Sequence, residues 1–207
     1  MELGKQDTAL LIVDMQNGFC DANGSMAKLG FDYRRLAQPI EACKQLLDAA
    51  RATDVRTMFT QYVYRADFSD GGVGVDEIFP AMKDVGLCVD GSWDAAIVDQ
   101  LEPRDGEVII KKNRPSAFYS TPLESYLRSM KIKNLVICGV TTNICVETTA
   151  RDASQRDYRT FVVSDAVGEV EQDRHDAALK SLGYMFARVM TVAEVLESWG
   201  IERSALG

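Results

Sequence analysis

Three side chains able to move protons or form bonds follow apolar runs in this chain. Asp14 comes after ALLIV (Ala9 to Val13), Lys112 closes EVIIKK (Glu107 to Lys112), and Cys145 lies just beyond LVIC (Leu135 to Cys138). A carboxylate can serve as a general base, a thiolate as a nucleophile, and an ammonium can stabilise the negative charge of either. Each residue also has an ordinary reading. An Asp after a strand is a turn or cap residue, a Lys there faces solvent, and a lone Cys near a helix start fills core space. The coincidence is what counts: all three fall at carboxyl ends of predicted strands, where parallel α/β sheets bind ligands.

Other catalysts are scarce. His175 is the one histidine in 207 residues, which excludes a two-histidine zinc site and leaves no reserve of imidazole bases. It sits in EQDRHD, a charged helix start, and reads as a surface residue. The five cysteines are odd in number and form no CxxC pair, so neither a disulfide framework nor a zinc site is implied. No metal and no cofactor are expected.

The segment ICGVTTNICVETTARDA gives Cys145 its setting. Gly139 ends the strand, and Thr141, Thr142 and Asn143 offer cap residues before the helix that carries Cys145. A thiol in the first turn feels the positive end of the helix dipole, which favours thiolate. Unpaired N–H groups there can hold an oxyanion. A nearby lysine lowers the thiol pKa further, and a carboxylate can take its proton.

Alternating elements must position these groups. Strands are predicted at 9–13, 56–64, 107–112, 135–138 and 161–163, with a sixth short run at 187–190. Helices are predicted at 36–50, from Thr121 (a Thr121–Glu124 capping box with Pro122 at the first position), at 143–156, around 176–182, and at 192–199. Strands apolar on both faces that alternate with helices indicate an α/β fold, a three-layer Rossmann-like sandwich around a mostly parallel six-stranded sheet. The Gly- and Asp-rich stretch from Arg65 to Trp93 reads as a long loop with one short helix, a lid or binding wall.

Composition narrows the class. Hydrophobic residues make up 46% of the chain, and 31 acidic against 23 basic residues leave a formal charge of −8. That balance excludes a nucleic-acid binder, which needs a basic footprint. No apolar run reaches the roughly 18 residues that span a bilayer, and the first residues do not form a signal peptide. One cytoplasmic domain over 1–207 is expected, with no membrane partner.

Three stretches, LLIVDMQNGF (10–19), VIIKKNRPSAFYSTPLE (108–124) and VICGVTTNICVETTARDA (136–153), resemble the isochorismatase-like cysteine hydrolases in content, order and spacing. The resemblance implies a catalytic triad of Asp14, Lys112 and Cys145; Lys112 rather than Lys111 directly precedes the N-R-x-S-A-F pattern. It also implies a cis peptide at Val140–Thr141 that aims the Thr141 N–H, with that of Cys145, at a substrate oxygen. The metal-binding nicotinamidases of the group use an aspartate and two histidines, which this chain lacks.

GEVIIKKNRPSAF and YVYRAD (62–67) are similar to N-carbamoylsarcosine amidase. MQNGF, GSWDAAIVDQL (91–101), STPLESYLRS and TNICVETTARDA are similar to the ureidoacrylate amidohydrolases. The expected activity is therefore hydrolysis of a small ureido, N-carbamoyl or amide compound through a thioacyl enzyme, with ammonia released. Rival readings are a vinyl-ether hydrolase, a maleamate or biuret amidase, and a non-enzymatic thiol redox sensor. Phe19, Tyr62, Tyr64 and Phe118 are expected to line the pocket beside Cys20, and Arg65 to meet a substrate carboxylate. Cys43, Cys88 and Cys138 are expected to be packing residues. The resemblance further implies a homo-oligomer, dimer or tetramer.

Overall fold

Apolar runs flanked by amphipathic segments form parallel strands because helices can then cover both faces. The computed structural model describes residues 3–53 and 55–201, so the ends of the expected 1–207 domain lie outside the described residues. The chain begins with β1 (Thr8–Val13), α1 (Asn17–Cys20), α2 (Ser25–Lys28), α3 (Tyr33–Ala37) and α4 (Ile40–Arg51). From β2 (Arg56–Tyr62) it passes through a long loop holding a wide turn (Gly74–Ile78) and α5 (Ala81–Asp84) to β3 (Val108–Lys112). Then come α6 (Leu123–Ser129), β4 (Asn134–Val140), a π-type turn (Thr142–Val146) that runs into α7 (Glu147–Ser154), and β5 (Arg159–Gly168). The last elements are α8 (Gln172–Met185), β6 (Arg188–Met190) and α9 (Val192–Ser198).

The six strands form one sheet in the order β3-β2-β1-β4-β5-β6. Every pairing is parallel, so the sheet is wholly rather than mostly parallel. The chain lays β2 and β3 to one side of β1, then returns to lay β4, β5 and β6 on the other. The order therefore reverses between β1 and β4, and the crevice beyond their carboxyl ends is where such sheets take ligands.

Strand β1 shows why the sheet is buried on both faces. Leu10 and Ile12 join a core that includes Leu46, Leu47, Phe161 and Trp199. Ala9, Leu11 and Val13 point the other way, into a second core with Leu127, Ile137, Ala150 and Leu182. This is the two-residue period of a strand, with apolar side chains at both phases.

Where the elements differ from the expected ones, local chemistry gives the reason. The helix expected at 36–50 is two helices, α3 and α4, because Pro39 stands between them as the N-cap residue of α4. No capping box opens α6. The Thr121 hydroxyl donates to Ala117 O and accepts from the Leu123 N–H, while Glu124 pairs with Arg128 and Arg156. The capping box is instead at α9, where Thr191 and Glu194 bond reciprocally. Strand β5 runs ten residues rather than three. Ser164 and Asp165 break its apolar run, but pairing to β4 resumes past a register shift at Gly139↔Val167. The long loop carries two short helical segments, not one.

Candidate active site

Asp14 follows β1 directly with φ of 51°, a left-handed conformation uncommon for a residue with a Cβ. Such outliers persist where the surroundings hold them, and here Thr60 does so from both sides. Its hydroxyl accepts from the Asp14 backbone N–H at 3.0 Å and donates to Asp14 Oδ1. The other carboxylate oxygen, Oδ2, is 2.7 Å from Lys112 Nζ, and both side chains are fully buried at 0% exposure.

Lys112 ends β3, two strands away from β1. It reaches Asp14 across the end of β2, with Nζ 4.3 Å from the centre of the Tyr62 ring. A further bond to Arg114 O, at 3.2 Å, fixes the ammonium. Burial alone would lower the Lys112 pKa, but the Asp14 carboxylate and Cys145 outweigh it and raise it.

Cys145 enters from the other side of the switch point, in the π-type turn after β4. Turns of this kind are rare and recur at functional sites. The Val140–Thr141 peptide before it is cis. Gly139 makes the approach to β1 possible: at φ of 113°, a Cβ there would lie 2.1 Å from Val13 O. The Cys145 thiol is close enough to Asp14 and Lys112 for both to act on its ionisation. Asp14, Lys112 and Cys145 therefore converge, although they come from the first, third and fourth strand ends.

Sequence reasoning favoured a thiolate here, and the structure corrects that. Burial pushes the Cys145 thiol up to about 12; Lys112 pulls it down, and the Asp14 carboxylate adds to the rise. The resting group is a neutral thiol beside a carboxylate that can take its proton. The thiolate absorbance of the wild type minus that of Cys145→Ala is expected to be absent through pH 9, the ordinary thiol value, and to rise only toward about 12. Thiolate already present at neutral pH would contradict this electrostatic account.

A cavity of about 260 Å³ opens beside Cys145. Tyr62, Phe19, Thr141, Glu169 and Arg174 are on its wall. Phe19 meets Tyr62 edge-on at 6.5 Å between ring centres. The Thr141 hydroxyl is buried and has no hydrogen-bond partner. Glu169, at the end of β5 and 3% exposed, accepts from the Asn143 N–H at 3.1 Å and from its neighbour Val170 at 2.9 Å.

Several expected wall residues lie elsewhere. Tyr64 is one layer back, its hydroxyl 2.8 Å from that of Tyr62. Phe118 is on the opposite face of the sheet, packed against Tyr158 at 5.9 Å and under Arg156. The chain leaving β3 turns to that face, where the Ala117 N–H bonds the Thr149 hydroxyl. Arg65 points to solvent, 68% exposed and 3.5 Å from Asp67. Cys20 is buried away from the cavity and bonds Leu36 O. Cys43, Cys88 and Cys138 are buried. His175 is half-buried rather than exposed, with Nδ1 3.0 Å from the Thr142 hydroxyl, and it does not border the cavity.

Sequence reasoning missed two anchors of the long loop. Buried Asp94 accepts from Ser25 N and Oγ and from the Cys88 N–H. Buried Gln16 donates to Tyr62 O and Ala95 O and accepts from the Tyr62 N–H. Glu169 was missed as well, although it follows the same rule as Asp14, a carboxylate at the carboxyl end of a central strand. Among the described residues, no group of three His, Cys, Asp or Glu side chains is placed to hold a metal ion. Nor is any helix among them long and apolar enough to cross a membrane.

Comparison with known proteins places these features in a family. A family model described as an isochorismatase domain matches residues 8–194. The ureidoacrylate amidohydrolase RutB of Methylorubrum extorquens is 35% identical over 198 residues, covering 90% of this chain and 80% of that protein. A cysteine hydrolase of Pseudomonas syringae pv. phaseolicola superposes with a TM-score of 0.87 at 29% identity, covering 96% of this chain and 94% of the other. N-carbamoylsarcosine amidase of Thermoplasma acidophilum shares the fold, with a TM-score of 0.71 at 24% identity over 90% of this chain and 96% of its own. The chain belongs to the isochorismatase family.

Proposed function

We propose that this protein is a cysteine-dependent amidohydrolase that cleaves a C–N bond of a small ureido, N-carbamoyl or amide compound and releases ammonia. The observation that carries the reading is a buried thiol at the edge of a cavity, beside the buried Asp14–Lys112 ion pair that acts on its ionisation. A relative named as an amidohydrolase, 35% identical over 90% of the chain, supports the reaction class.

In this scheme Asp14 takes the Cys145 proton as the sulfur attacks the carbonyl carbon. The new C–S bond forms while the carbonyl electron pair moves to oxygen, and that oxyanion rests on the Thr141 and Cys145 N–H groups. Such a donor is typically worth about 3 kcal/mol. The intermediate collapses, the C–N bond breaks, and Asp14 returns the proton to the departing nitrogen. Water then attacks the thioacyl carbon, gives its proton to Asp14, and releases the acid. The sulfur leaves as thiolate and is reprotonated from Asp14. Lys112 holds the Asp14 carboxylate in place and offsets the thiolate charge.

The five free, buried cysteines suit a reducing compartment, and we propose one cytoplasmic domain that assembles as a homo-oligomer. The test of function is ammonia release from a panel of ureidoacrylate, N-carbamoylsarcosine, biuret, maleamate and nicotinamide. Turnover of a ureido or amide member is the expected result. Release of product only from a vinyl ether such as isochorismate would replace this reading with its rival.

A further inference from the structure

The cavity wall is sharply divided, and the division bears on what fits inside. Polar groups gather at the Cys145 end, where the unpartnered Thr141 hydroxyl is 95% buried with its residue and the Tyr62 ring stands over Lys112. Apart from Glu169 and Arg174, the rest of the wall is hydrocarbon and sulfur. Phe31 and Phe79 meet edge-on at 6.0 Å between ring centres, and Met26, Met82, Leu87 and Ile144 complete that side.

Charge is distributed to match. Buried Glu169 puts a carboxylate in the wall, held by two backbone N–H groups. Among the described wall residues Arg174 is the one cation. It lies at the rim, about half exposed, and is already 2.9 Å from Glu171. Exposed pairs of this kind contribute little. A carboxylate entering the cavity would lose its water among apolar side chains near Glu169, and the buried cation behind the wall, Lys112, is already paired with Asp14.

We infer that the natural substrate is a neutral carboxamide or monosubstituted urea with an apolar body, its polar head at Cys145 and its hydrocarbon part among Phe31, Phe79 and Met82. The inference rests on the hydrolase reading for the head group but not for the body. The size agrees: an apolar cavity of about 150 Å³ holds benzene, and this one is about 260 Å³. Both Met side chains can adapt to a ring or a branched chain.

The experiment uses pairs in which an isopropyl group replaces a carboxylate of the same shape: isocaproamide against succinamate, and isopentylurea against β-ureidopropionate. Ammonia release by the full chain is expected to favour the neutral member of each pair at least about tenfold in kcat/KM. Calorimetric binding of the same four compounds to Cys145→Ala is the second readout. Tighter binding of the neutral members without turnover of any compound would sink the hydrolase reading while the specificity stands. Preference for the acidic members in either readout, equal treatment of both, or no binding of any compound would overturn the inference.

Discussion

Replacing Cys145 by Ala is expected to lower kcat/KM at least about 10,000-fold while the protein keeps its fold. Loss of the nucleophile removes the bond-forming atom, and such losses in comparable covalent hydrolases reach about a million-fold in kcat. The structural cost is small by contrast. Cys145 is buried beside Val146 and Ala150, and losing one sulfur from such a site costs on the order of 1 kcal/mol. Cys145→Ser restores the shape but offers a hydroxyl far harder to deprotonate, so it should be nearly as inactive. The pair of variants is read by steady-state ammonia release beside thermal unfolding. Activity in Cys145→Ala above a hundredth of wild type would mean that another group attacks the substrate.

The second large effect is on stability. Lys112→Met should lower the unfolding free energy by about 3–5 kcal/mol, because it strands Asp14 at 0% exposure without its counter-charge. At the usual scaling for a chain of this size, that is a drop in Tm on the order of 10 °C. Asp14→Asn strands Lys112 in the same way. The double variant is expected to recover part of the loss, since no charge is then left buried alone. Thermal unfolding of the four proteins forms a double-mutant cycle. A Lys112→Met protein as stable as wild type would show that solvent reaches Asp14.

Much of this was legible before any coordinates. Runs such as ALLIV and LVIC are apolar at every position, and a strand buried on both faces requires that. The convergence of Asp14, Lys112 and Cys145 followed from placing each at a strand end, and the parallel order makes those ends neighbours. The sense of the thiol's pKa was not legible. The dipole and the lysine are visible in sequence, whereas complete burial is a property of the packed site, and burial has the larger effect.

The cavity wall was the least legible part. Tyr62 and Tyr64 are two residues apart on a segment leaving β2, so sequence offered both. The bridge of Tyr64 to Val89 turns it behind Tyr62. Phe79, Met82 and Leu87 come from an irregular loop with no period to reveal which side faces inward. Their placement depends on Asp94, which ties the end of that loop to Ser25 and Cys88 through bonds no local pattern announces.

The claim most open to direct attack is that the acyl group passes through Cys145. Acid-quenching the enzyme during turnover of its best panel substrate, followed by peptide mass analysis, would show it. The account predicts added mass equal to the acyl group on the peptide that contains Cys145, disappearing as substrate is exhausted. Turnover with that peptide unmodified at every quench time, and with Cys145→Ala still active, would contradict it.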